Sequence, residues 1–333
     1  MKRNRYIDTI KAVGIFLVIL GHHQTVFTQY IFSFHMPLFF FLSGIFHKNY
    51  SSYKVFLEKK IKSLIIPYFF FAITLFLFWL VLGRHFGEAK IKNTPILESL
   101  NGVFMGTQIT GISSMEWGII LWFLLTLFII SNIYYFISKI NNTLIIILVN
   151  ILLGTIGFYY NYYKPTYLDI WHFTVALNAI QFYSMGSILK DKILDLDKIS
   201  YKLVFLLFII SYVSNYCNSK IDMQSLSYGN NMLLFYISAF SGIGFIICLI
   251  RNLEIYNRIL DFIGANTMII LAYHSRCMTF IKFVFMVVGI KVVNDNTIYN
   301  IFFSIIQLLI CFPIIIILNK YFPKFVGKYN KSK

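Results

Sequence analysis

The sequence predicts an all-α, polytopic integral membrane protein of about ten transmembrane helices, with both termini cytoplasmic. Three observations predict it. Hydrophobic residues make up 58% of the 333 residues and charged residues only 13%, about half the charged share of a soluble protein. The apolar residues fall in continuous runs close to the ~20 residues that cross a hydrocarbon core, not in the alternating pattern of a strand barrel. The Lys and Arg residues collect in short clusters between those runs.

The first run, 10–28, follows a basic stretch (Lys2, Arg3, Arg5) and ends in Gly21-His22-His23-Gln24. That ending lacks a small-residue cleavage site, so the run reads as a retained first span. The second run is 31–47. A cytoplasmic amphipathic segment, 48–62, then carries Lys59, Lys60 and Lys62 ahead of Pro67-Tyr68. It is either a surface helix drawn to anionic headgroups or a site for a cytosolic polyanion. The third run is 64–83, and the longest external connection, 84–116, ends at Glu116 and is placed to cover an outward-facing mouth. Further runs lie at 117–137, 143–160, 172–189, 202–218, 231–250, 258–277 and 299–319. The stretch 278–293 is either a re-entrant or interfacial helix or an extension of the ninth span.

Placing the N-terminus inside puts 21 of the 29 Lys and Arg residues on the cytoplasmic side. This asymmetry is what the positive-inside rule requires and implies an even number of spans. The same distribution argues against nucleic acid as the partner of the +16 net charge. Cys217, Cys248, Cys277 and Cys311 have no CxxC or zinc-like spacing and read as small packing residues. No internal repeat or appended soluble domain is visible, so residues 1–333 read as one membrane-embedded domain. The sequence leaves the oligomeric state open.

Ionisable groups inside a bilayer are expensive and mark function. The first span carries Asp8, Lys11, His22 and His23. At 100° per residue, Lys11 and His22 share one helix face with an axial offset of roughly 16 Å. Asp8, Gly14, Val18 and Gly21 lie close to that face, giving a small, polar stripe. Such a stripe also serves as a helix-packing seam, but packing does not explain the histidine on it. The second span opens Phe34-His35-Met36-Pro37, with Pro37 expected in its first turn. A turn centred near residues 28–29 sets His22 and His35 at similar depth. A neutral imidazole is suited to abstracting a hydroxyl proton. No HExxH or paired-ligand spacing is present, so no metal is expected.

Lys11 followed by ten residues and His22, within Ile7-Asp8-Thr9-Ile10-Lys11 to Gly21-His22, resembles the first-span signature of the membrane acyltransferase-3 family. With the run from Phe34-His35-Met36-Pro37 to Ser43-Gly44, it is similar to the branch containing fucose 4-O-acetylase-like proteins. Lys60-Ile61-Lys62 before Pro67-Tyr68, Trp122-Phe123-Leu124, Gly186 with Lys190, and Gly264-Ala265-Asn266-Thr267 leading to Tyr273-His274 extend the resemblance over most of the chain. The family's commoner form has Arg where this chain has Lys11, a point charge in place of a bidentate fork.

The resemblance implies a bacterial plasma-membrane O-acyltransferase with acetyl-CoA or another acyl-CoA as cytoplasmic donor and a carbohydrate acceptor. It implies no permanently bound cofactor. His22 is then the general base or acyl carrier, with Lys11 and His35 beside it in the active site. Lys59, Lys60 and Lys62 are expected at the donor's phosphates, with its pantetheine arm along the Lys11–His22 stripe, and Glu116, Trp122 and His274 at the acceptor. The rival class is a transporter or flippase for a lipid-linked sugar. Such carriers place carboxylates at mid-membrane in two related halves; here Asp and Glu avoid the span centres, and no second half resembles the first.

Overall fold

The computed structural model describes residues 4–23, 25–85, 87–163, 169–289 and 296–329. Lys2, Arg3, Gln24, Lys331, Lys333 and the end of the 278–293 stretch therefore lie outside the described residues. The chain is mostly helical, 77%, in keeping with the all-α expectation. In order, the helices are α1 (Arg5–Gly21), α2 (Thr28–Ile45), α3 (Tyr53–Lys60), α4 (Ile66–Val81), α5 (Gly87–Lys92), α6 (Ile96–Met105), α7 (Trp122–Ile137) and α8 (Thr143–Tyr163). Then follow α9 (Phe173–Ile188), α10 (Lys190–Leu194), α11 (Tyr201–Asn218), α12 (Met232–Leu253), α13 (Arg258–Gly264), α14 (Thr267–Val288) and α15 (Thr297–Tyr321). Between α11 and α12 a two-residue pair, β1 (Ile221–Asp222) and β2 (Ser227–Tyr228), closes an antiparallel hairpin.

Every expected span falls on helix. Among the described residues, six helices are long and apolar enough to cross a membrane: Tyr53–His85, Ile119–Ile137, Thr143–Tyr163, Met232–Leu253, Thr267–Phe285 and Thr297–Tyr321. Runs 10–28, 31–47, 172–189 and 202–218 fall on α1, α2, α9 and α11, which are 16 to 18 residues long. The side-chain pattern identifies the solvent. In α8 the buried residues are Ile146, Asn150, Gly154 and Gly157, while Leu144, Ile145, Leu148, Ile151 and Leu152 are exposed. In α11, Ser211, Asn215 and Asn218 are buried, whereas Phe205, Leu206, Ile209 and Ile210 face outward. Small and polar residues turned inward with Leu and Ile outward invert a soluble helix and suit one facing lipid.

Several boundaries depart from expectation. α1 starts earlier and stops earlier than 10–28, because the Asn4 side chain accepts from the Ile7 amide at its start and His22 is its C-terminal cap. Pro37 lies in the interior of α2, not in its first turn, so the Ser33 carbonyl receives no i→i+4 donor there. The 48–62 segment is continuous with the third span. α3 passes through a π-helical turn, Ile61–Ile65, into α4, with the Ile66 amide reaching the Ile61 carbonyl. The wider turn sits just ahead of Pro67, whose ring would clash with a tight helical backbone. The ninth span breaks at Ala265-Asn266, where the Asn266 side-chain amide donates to the Phe262 carbonyl at 2.7 Å. Beyond the break α14 runs unbroken to Val288, so the described part of 278–293 extends the ninth span.

The chain forms two compact units. The first, residues 1–47 and 182–316, is built on close helix crossings. A Cβ at Gly264 would fall 2.1 Å from the Asp8 carbonyl oxygen, and one at Gly242 2.7 Å from the Phe34 ring. Buried hydroxyls tie three helices together: Ser238 Oγ lies 3.0 Å from Ser33 Oγ, and Ser211 Oγ donates to the Ser238 carbonyl at 2.8 Å. The Tyr6 hydroxyl donates to the Ile247 carbonyl at 2.9 Å.

The second unit, residues 48–181 and 317–333, centres on Tyr68, whose hydroxyl donates to the Val103 carbonyl at 2.9 Å. Trp171 and His172 both hold φ of 56°, a conformation that costs non-glycine residues about 1–3 kcal/mol each. The Trp171 indole N–H donates to the Phe104 carbonyl at 2.8 Å, and the Asp169 carboxylate accepts from the Thr174 amide at 2.8 Å, which together hold the bend. Burial pushes the Asp169 carboxyl up, against the lowering effect of the Thr174 bonds. The folded state therefore binds the Asp169 proton more tightly than the unfolded chain does. Its stabilising share is complete below the ordinary carboxylate value of about 4 and is lost as pH rises through the raised value. Asn at 169 keeps the capping oxygen without the charge, so Asp169→Asn is expected to raise the thermal midpoint at neutral pH. The difference from wild type should vanish in acid, as melts in detergent across pH would show.

Candidate active site

The end of α1 delivers two adjacent histidines in opposite states. His22 is enclosed by protein on most sides, yet its ring keeps exposed surface, while His23 is buried. His22 packs edge-on to Phe32, with centroids 6.1 Å apart, and lies against His274, with centroids 5.2 Å apart and the planes at 37°. His35, about one turn along α2 from Phe32, packs against the same ring, with centroids 4.9 Å apart. The Asp222 carboxylate on β1 acts electrostatically on His22, as His22 does on His35.

The tautomers follow from the partners. His35 Nδ1 lies 2.8 Å from the Ile31 carbonyl oxygen, which can only accept, so Nδ1 carries the proton and Nε2 is the acceptor. His274 Nδ1 faces the carbonyl oxygens of Ile270 and Leu271 at 3.1 and 2.9 Å, which fixes the same tautomer. Gln307 Nε2 donates to the His274 carbonyl at 2.6 Å. That orients the amide so that its Oε1 accepts from His23 Nε2–H at 2.8 Å. Gln307 is buried, and its position was not among the expected site residues. It lies on a sequence-visible stripe, Asn300, Ser304, Gln307 and Cys311, spaced four, three and four apart and buried throughout.

Lys11 lies eleven residues before His22, roughly 16 Å along the axis, with Nζ 4.4 Å from the centroid of the Phe46 ring. The small residues between them form a packing seam. A Cβ at Gly14 would lie 3.2 Å from Leu38 and Phe39 atoms, and one at Gly21 3.1 Å from Phe32. Side chains of α2 thus line the stripe at both glycines. The helical wheel shows the small residues without showing what packs beside them.

The structure gathers His22, His35 and His274 in the first unit, with Lys11 toward the start of α1. The remaining expected residues belong to the second unit. Lys59 and Lys62 are exposed and Lys60 is half-buried, with Lys59 Nζ 4.4 Å over Tyr50 and Lys60 Nζ 5.4 Å over Phe56. Glu116 pairs with Lys92 at 3.0 Å. Trp122 is buried with its ring 5.8 Å from His172, a neighbour set by tertiary packing that no local pattern signals.

An accessible imidazole beside buried, backbone-anchored ones is a group able to take up and release a proton in a helical multi-pass membrane protein. Residues 4–318 match the profile of a family described as an acyltransferase domain, acyltransferase-3. The chain belongs to that family and is a membrane acyltransferase. No curated protein and no solved structure matches the chain.

Proposed function

We propose that this single-domain protein is an O-acetyltransferase of the bacterial plasma membrane, of the fucose 4-O-acetylase-like branch. It takes an acetyl group from cytoplasmic acetyl-CoA and places it on a hydroxyl of a cell-surface or exopolysaccharide sugar. All ten helical runs span the bilayer in this reading, with both termini in the cytoplasm. The observation that carries the reading is the accessible His22 ring set among His35 and His274 within the family's matched region.

His22 acts as general base on the acceptor hydroxyl or carries the acetyl group between donor and acceptor. His35 orients His22, and Lys11 steadies the donor's charge. Lys59, Lys60 and Lys62 form a cationic edge suited to the donor's phosphates, two of them exposed.

Full-length protein in liposomes, given radiolabelled acetyl-CoA on one side and a polysaccharide acceptor on the other, tests the reading directly. Label should appear on the acceptor as base-labile ester. A deletion strain should keep its surface glycans but lose their acetyl esters; loss of whole glycan chains would instead indicate a carrier of lipid-linked sugar. Replacing Lys59, Lys60 and Lys62 together by Ala is expected to raise KM for acetyl-CoA roughly tenfold, about 1.4 kcal/mol of binding, with kcat little changed. Because exposed charges are screened, raising salt should raise wild-type KM toward that of the variant.

A further inference from the structure

The hairpin between α11 and α12 is built around one buried side chain. Asn218 donates from Nδ2 to the Tyr228 carbonyl at 2.8 Å and accepts the Asn231 amide on Oδ1 at 2.7 Å, and its own carbonyl takes the Asn230 amide at 2.8 Å. The chain closes over Asn218 at Gly229, where φ is 76° and a Cβ would lie 2.2 Å from the Asn218 carbonyl oxygen. Ile221, Met223 and Tyr228 are buried, and β1 packs against α2. Asp222 stands between two of these anchors and is half-buried. Its Oδ1 accepts the Gln224 amide at 3.1 Å, and its Oδ2 meets no hydrogen-bond partner among the described residues. In this unit α1 ends, α2 begins, α11 ends and α12 begins at one end of the bundle, so the hairpin and His22 share it. The Asp222 carboxylate acts on His22, whose ring keeps exposed surface, while Lys282 acts on the neighbouring His23. An exposed imidazole and a carboxylate oxygen with spare capacity are two hydrogen-bond acceptors at one mouth. A molecule with two hydroxyls satisfies both at once.

We propose that Asp222 is an acceptor-binding residue: its Oδ2 takes a hydrogen bond from one hydroxyl of the sugar and so holds a second hydroxyl of the same sugar at His22. The assignment rests on the acyl-transfer reading above and narrows its substrate class to a polyhydroxylated acceptor, not a lone alcohol. Asp222 takes no proton in the reaction. The rigid hairpin fixes where the carboxylate stands, which is what orienting a bound hydroxyl toward a base requires.

The test separates acceptor binding from turnover. Wild type and variants in liposomes are given labelled acetyl-CoA, with the surface glycan of the deletion strain as acceptor. Asp222→Asn keeps an oxygen for the Gln224 amide but removes the charge, and it is expected to raise KM for the glycan about tenfold. Asp222→Ala should raise it further, toward roughly a hundredfold. Donor KM, and kcat at saturating glycan, should stay within about twofold of wild type, as when binding is lost equally from ground and transition states. Hydrolysis of acetyl-CoA without glycan, in which water stands in for the sugar, should not change. Ser225→Ala is the control: it removes the hydroxyl bond to the Asp222 carbonyl, 3.3 Å, leaves the carboxylate, and should keep the wild-type KM. If the Ala variant does not fold, the Asn variant carries the test. An unchanged glycan KM in the Asp222 variants overturns the assignment. So does a fall in kcat shared by glycan and water with KM unmoved, which would make Asp222 an electrostatic partner of His22 alone. A rise in Ser225→Ala equal to that in Asp222→Asn would overturn it too, by tracing the effect to the hairpin's shape. If wild type itself moves no label to the glycan, the acyl-transfer reading falls; if wild type is active and the variants match it, only the role of Asp222 falls.

Discussion

Alanine in place of His22 is expected to abolish acetyl transfer while the protein still inserts and folds. Among the described residues no side-chain hydrogen bond holds the His22 ring, and it is exposed, so its packing contribution is limited to the edges of Phe32 and His274. The thermal midpoint should therefore move little. Activity should fall by at least the 10²–10⁴-fold of a lost general base, taken as an order of magnitude. It should fall to background if His22 carries the acyl group. The two routes separate in the wild type. Acetyl-CoA without acceptor leaves an acetyl adduct on the His22 peptide only on the covalent route, and added imidazole should partly rescue the Ala variant only on the general-base route. His35→Ala is the informative contrast, because that ring is buried and donates to the Ile31 carbonyl. It should lower the thermal midpoint as well as the rate.

What the sequence made legible is what depends on local pattern. The apolar runs located every long helix because lipid imposes length and composition on each span separately. The polar residues of α1 pointed to His22 because an imidazole on an apolar helix is itself a signal. The late-span Tyr273-His274 was legible by resemblance, and the structure sets the buried His274 ring against His22. Breaks and close approaches were less legible. Nothing local distinguishes Asn266, which caps the end of α13 through Phe262, from an ordinary helical Asn. The Lys11–His22 stripe was legible as a row of small residues, but its neighbours come from α2, and only tertiary packing shows Leu38, Phe39 and Phe32 beside it. Gln307 stood in plain view as an amide in an otherwise apolar stretch, in helical register with Asn300 and Ser304. Its partners, one residue and a main-chain carbonyl from two other helices, are long-range facts.

Gly44 and Gly186 carry the second large expectation, and they explain why two glycines of the resembled motifs stand where they do. A Cβ on Gly44 would lie 1.9 Å from the Tyr183 carbonyl oxygen, and one on Gly186 2.0 Å from the Phe41 carbonyl oxygen. The two positions are reciprocal: each helix sets its glycine against the other's backbone, the small-residue crossing by which helices approach closely in lipid. Carbon and carbonyl oxygen settle at about 3.3 Å or more, so even a methyl group must push α2 and α9 apart by roughly an ångström. Backbone cannot rotate out of the way as a side chain can. Gly44→Ala is therefore expected to destabilise by about 3 kcal/mol, the upper end of overpacking, and Gly44→Val to prevent recovery of folded protein.

Gly244, also mid-helix, makes the matched control. Its added Cβ would meet only Leu207 side-chain atoms at 3.4 Å or beyond, and Ala there gains about 1 kcal/mol of helix propensity. Gly244→Ala should leave the melting temperature in detergent unchanged or raised while Gly44→Ala lowers it. The consequence reaches the site through α2. Phe32 and His35 ride on the helix that Gly44 seats, and the His47 ring, just beyond its end, bonds the Tyr183 hydroxyl at 3.0 Å. Displacing α2 shifts the Phe32 edge relative to His22, so surviving Gly44→Ala protein should show reduced kcat per folded molecule. A variant that lost yield but kept full turnover would show that the crossing supports the fold without setting the geometry of the histidines.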